Sequence, residues 1–135
     1  RKARGIRLLF EQNKEELKKY FVELTDEKKI NLICDMIWIG SMTDKKHHLT
    51  FAYSLDWIEY LIEKDELFKL IDENFGKLEN SNKQRILVLK MQLTGFKPSD
   101  FHGEQCYLIE DINRYCKENR IDFIASDSFE DKNNG

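Results

Sequence analysis

Three histidines and three cysteines are the side chains best suited to metal or nucleophilic chemistry in this 135-residue chain, and their spacing favours neither. His47 and His48 are adjacent, so on a helix they point about 100° apart and are poorly placed to share one metal ion. His102 and Cys106 stand four apart, but no second metal-like pair accompanies them. A nucleophile needs a base and an orienting group, and no local signature around Cys34, Cys106 or Cys116 supplies them. The carboxylate pairs Glu15-Glu16, Asp72-Glu73 and Glu110-Asp111 read as solvated helix faces. No glycine-rich phosphate loop is present. The expectation is therefore a non-enzymatic protein with no catalytic residue, metal or cofactor.

One segment carries a different kind of chemistry. Laid on a helix, Phe51, Leu55, Ile58 and Ile62 make one apolar face. Asp56, Glu59 and Glu63 make a separate acidic stripe. Tyr53, Trp57 and Tyr60 gather on a third side, nearly opposite the first, where a surface helix should be polar. Two readings follow. Either the helix is sandwiched between neighbours and both apolar sides are buried, or the aromatics stand open beside the carboxylates. In the second case Tyr53, Trp57 and Tyr60 are binding anchors, and Asp56, Glu59 and Glu63 steer a basic partner.

Charge is distributed in blocks. The net charge of −3 divides into +3 over residues 1–46, −5 over 56–79, +4 over 80–98 and −5 over 99–135. The acidic blocks would attract a basic protein surface. Size, acidity and the lack of chemistry suggest an inhibitor, or an immunity- or antitoxin-like protein that neutralises a basic enzyme. The alternative is a nucleic-acid-binding regulator using the basic arm (Arg1, Lys2, Arg4, Arg7) and a basic fifth helix (Lys83, Arg85, Lys90). Against it stand the negative net charge and the absence of a helix-turn-helix signature.

The elements that must position these residues are mostly helices. One proline and six glycines are too few breakers for a fold of many short strands. A first helix is expected over about 14–24, capped by Asn13, and a second from the Thr25 cap to Ile39, stopped by Gly40. The third begins between Thr43 and Thr50 and ends near Lys64. A fourth, about 66–75, is capped by Asp65. The fifth runs from Ser81 to Thr94 before Gly95 and Pro98, and the sixth spans about 104–118. Short extended or strand-like pieces are expected at 6–10 and 121–125.

These pieces make one all-α domain, a compact bundle of five or six helices over 11–125. A basic arm (1–10) precedes it and a polar acidic tail (126–135) follows. With 41% hydrophobic and 35% charged residues, the composition is that of an ordinary globular chain. No stretch approaches the roughly 18 apolar residues of a membrane helix, and nothing resembles a signal peptide. The odd cysteine count argues against a disulfide framework. A reduced cytoplasmic protein, away from membranes, is the expectation.

Overall fold

The computed structural model describes the backbone of residues 2–41, 47–50, 54–98 and 106–126, and the side chains of 11–37, 55–98 and 107–126. The fold is mostly helical, with six α-helices among the described residues. In chain order they are α1 (Lys2–Val22), α2 (Asp26–Asp35), α3 (Ser54–Leu61), α4 (Lys64–Asn74), α5 (Asn80–Leu93) and α6 (Ile109–Glu118). A 3-10 turn, Phe75–Lys77, follows α4.

The helix in the middle is the one with no polar side. Ile86, Leu87, Val88, Leu89 and Met91 of α5 are all buried, and they point around most of its circumference. Such a helix is stable only when surrounded. Accordingly α5 meets α2, α4 and α6, while α2 also packs on α4 and α1 packs on α3. The remaining helices each offer one buried stripe: Ile30, Ile33 and Cys34 from α2, Leu67, Leu70 and Ile71 from α4, Ile112, Tyr115 and Cys116 from α6.

Helix ends follow local chemistry. Thr25 caps α2, its hydroxyl accepting the Lys28 N–H at 3.3 Å, with Asp26 and Glu27 in the first turn. Asn13, expected as a cap, has non-helical angles (φ −128°, ψ 19°) and marks a kink inside α1 rather than its start. Residues 6–10 are therefore helical, not extended. At the end of α5 the Phe96 N–H donates to the Met91 carbonyl (2.9 Å) and the Gly95 N–H to that of Gln92 (3.2 Å). This paired closure needs a left-handed residue, and Gly95 supplies it at φ +76°. The end of α6 repeats the pattern, Ile121 to Cys116 and Arg120 to Lys117, but there the left-handed position (φ +57°) is held by Arg120.

A small sheet stands beside the helices. The strands β1 (Trp38–Ser41), β2 (His47–Thr50) and β3 (Cys106–Tyr107) are antiparallel in the order β1-β2-β3. Register pairs Trp38 with Thr50 and Gly40 with His48, while Leu49 pairs with Tyr107. The expected second helix thus stops early, at Asp35, and Gly40 lies in a strand. Ile37-Trp38-Ile39 is a short run of β-branched and aromatic residues, which periodicity alone does not separate from a buried helix. Similarly, α3 begins only at Ser54, and α6 at Ile109 because Cys106 and Tyr107 pair with β2.

Candidate functional site

The acidic-aromatic segment folds as the helix its spacing implies, but its sides are covered differently from an open binding face. Trp57, Ile58 and Leu61 of α3 and Ile62 just after it are all buried, so the helix is held from two sides. Trp57 is only 7% exposed and belongs to the core cluster. Its assignment as an exposed anchor is corrected accordingly. Tyr60 is half-buried, because α1 packs on α3 and sets the Lys14 and Lys18 ammonium groups 5.3 and 5.1 Å from its ring centroid. Tyr53 and Phe51 lie outside the described residues.

The carboxylates are placed otherwise. Asp56, Glu59 and Glu63 are all exposed, Asp56 and Glu59 along α3 and Glu63 at its junction with α4. Asp65 and Glu66, in the first turn of α4, extend the same exposed acidic run. None of Asp56, Glu59 and Glu63 forms an ion pair among the described residues. Asp56 and Glu59 are carried on a helix with buried neighbours Trp57, Ile58 and Leu61, and Glu63 precedes α4 next to the buried Ile62, so their backbone positions are set before any partner arrives.

The basic fifth helix spends its charge within the fold. Lys90 Nζ pairs with Asp72 at 2.9 Å and lies over the Phe68 ring at 5.6 Å. Arg85 donates to Asn82 Oδ1 at 3.0 Å, and Lys83 lies over the rings of Phe75 and Phe123 at 5.3 and 5.9 Å. Together with the buried middle of α5, this leaves no open basic face on that helix for a nucleic-acid groove.

The groups named as chemically capable are dispersed. Cys34 is buried on α2, its thiol 4.0 Å from the Asn82 carbonyl. Burial pushes that thiol up to about 12; Arg85 offsets part of the shift and Asp35 adds to it. Cys116 is likewise pushed up to about 11 by burial. Thiols so protonated are poor nucleophiles at neutral pH. His47 and His48 lie in β2, Cys106 lies in β3, and His102 is outside the described residues. Among the described residues no group of three or more metal-ligating side chains gathers. A groove of about 490 Å³ opens between α2, the 3-10 turn and the start of α5. Its polar walls are Glu27, Asn31, Asn74, Lys77, Glu79 and Asn82, and it contains neither histidine nor thiol.

One carboxylate departs from expectation. Glu110 is exposed, but Asp111 is 0% exposed. It accepts the Leu108 N–H at 2.9 Å, closing the start of α6, and pairs with Arg114 at 3.2 Å. Arg114 lies over the Phe96 ring at 4.3 Å and donates to the Lys97 carbonyl at 2.8 Å. The nearby Tyr107 hydroxyl donates to the Phe96 carbonyl at 2.7 Å. It is pushed up to about 12, by burial first and then by the Asp111 charge. Asp111 is a structural hub joining α6 to the loop after α5.

No family model matches the chain, and neither curated protein sequences nor solved structures give a match. Among the described residues no helix is long and apolar enough to cross a membrane.

Proposed function

We propose that this domain is a non-enzymatic binding module that receives a basic protein on the acidic edge formed by α3 and the start of α4. The observation that supports this reading is the exposure of Asp56 and Glu59 on α3 and of Glu63 at the start of α4, without ion pairs among the described residues, beside the buried Trp57, Ile58, Leu61 and Ile62. Carboxylates on a backbone held by buried neighbours attract a basic surface at little ordering cost, and they raise its association rate. Trp57 supports the edge from beneath, and Tyr60 contributes the half-buried aromatic at its rim. The finer form, an inhibitor or an immunity- or antitoxin-like neutraliser of a basic enzyme, rests on size and charge alone.

The test is capture from a lysate of the source organism, by wild type and by the triple variant Asp56→Lys, Glu59→Lys, Glu63→Lys. A protein retained at low salt by wild type, released at high salt and not retained by the variant is the expected outcome. Equal retention by both proteins would remove the acidic edge from the account.

A further inference from the structure

Residues 121–126 leave the end of α6 and return to lie between α5 and α6. A tight turn, closed by the Phe123 N–H donating to the Ile121 carbonyl at 3.0 Å, starts the return. Beyond it the main chain is held by side-chain amides rather than by a helix or strand partner. Asn113 of α6 takes both polar groups of Ala125: its Oδ1 accepts the N–H at 2.7 Å and its Nδ2 donates to the carbonyl at 3.3 Å. Gln84 of α5 accepts the next N–H, that of Ser126, at 3.0 Å. Consecutive amides are thus gripped by opposite helices, as an extended peptide would be. Ala125 is buried, and Phe123 packs edge-on to Phe75 with ring centroids 6.1 Å apart.

Two features go beyond a simple cover. Gln84 is 2% exposed, yet its Nε2 has no hydrogen-bond partner among the described residues. A buried donor left unmet costs about 1–3 kcal/mol. Because the oxygen of the same amide grips Ser126, the unmet donor belongs to the same slot. Asn113 uses both its oxygen and its nitrogen on its occupant, whereas Gln84 uses only its oxygen. Further, the occupant is held at alternate points: Ala125 joins the core cluster and Ile121 and Phe123 pack against it, whereas Ile124 is 83% exposed. The segment departs through Arg120, a non-glycine residue at φ +57°.

We propose that the slot between α5 and α6 is a peptide-binding site, with the chain's own residues 121–126 as its resident occupant. The partner it fits is an extended peptide with an aromatic residue two positions before an alanine or another small residue. The two amides read main chain, the seat of Ala125 admits only a small side chain, and Gln84 Nε2 supplies a donor for one more carbonyl. The tethered resident competes at an effective concentration on the order of millimolar, so a partner enters only when the resident leaves. This site is separate from the carboxylates of α3, and its failure would leave the acidic-edge reading untouched.

The experiment uses the full chain with Ala125→Asp, which places a charge where the seat is apolar and keeps the resident out. The probe is a fluorescein-labelled peptide of residues 119–128, followed by anisotropy. Saturable binding to the variant is expected, with binding to wild type at least ~10-fold weaker. Adding Asn113→Ala to the variant should abolish binding, and a probe that itself carries Ala125→Asp should not bind. If Ala125→Asp does not fold by circular dichroism, Ser126→Pro replaces it, since it removes the N–H that Gln84 accepts, together with the Ser126 hydroxyl. No binding to a folded variant, or binding indifferent to Asn113→Ala, overturns the proposal.

Discussion

Replacing Trp57 by alanine decides between the two roles that its position on α3 allows. The side chain is 93% out of water and joins the main hydrophobic cluster. A buried indole removes roughly 200 Å² from solvent, worth about 5 kcal/mol at about 25 cal/mol per Å². Alanine retains a small part of that, and the vacated volume adds a cavity cost, so a loss of about 3–5 kcal/mol is expected. Domains of this size have a total stability of roughly 5–15 kcal/mol, so about a fifth or more is removed. Each kcal/mol lowers the melting temperature by about 3–5 °C at this length, giving a drop of roughly 10–20 °C. Differential scanning calorimetry with far-ultraviolet circular dichroism reads it directly. Trp57→Phe, which keeps a ring in the core, should lose clearly less. A Trp57→Ala protein melting within about 2 °C of wild type would refute the packing argument for α3.

Four further outcomes follow from particular residues. Gly95→Ala should destabilise by about 1 kcal/mol in urea titration, because φ is +76° and the added Cβ meets nothing within 4 Å, so backbone strain is its whole cost. Arg120→Gly should stabilise by a similar ~1 kcal/mol for the converse reason, and a neutral or destabilising result would contradict the strain assigned to that hinge. Cys34 and Cys116 should react with a thiol reagent at least ~100-fold more slowly in the folded protein than in urea. Their folded pKa values, about 12 and about 11, lie above the usual 9. The stability gained by keeping them protonated is therefore full below pH 9. It falls from pH 9 toward 11–12, by at most ~1.4 kcal/mol per pH unit for each thiol. A stability curve that is flat between pH 9 and 11 would show these thiols to be hydrated.

Much of the helical plan was legible because it rests on local chemistry. Thr25 and Gly95 announce their helix ends by residue type alone, and the unbroken apolar run Ile86–Leu89 marks the helix at the centre. The sheet was illegible for an equally local reason. Ile37-Trp38-Ile39 suits a buried helix and a strand alike, and only pairing with residues 47–50 decides it. The aromatic side of α3 posed a question that spacing states but does not answer, since the cover comes from α1, far away in sequence. Asp111 looked like half of a solvated pair, because nothing in the sequence announces that Arg114 and the Leu108 amide close around it. Asn113 carries no signal, and Gln84 reads only as the partner of Ser81 in a capping box at the start of the fifth helix; both matter through hydrogen bonds to residues 12 and 42 positions away.

The most direct test of the acidic-edge account is the association rate of the captured basic partner across a salt series. The wild-type rate should fall steeply as salt rises, and the Asp56→Lys, Glu59→Lys, Glu63→Lys variant should associate at least ~10-fold more slowly at low salt, with its melting temperature little changed. Equal rates for the two proteins at every salt concentration would contradict the claim that these three exposed carboxylates guide the encounter.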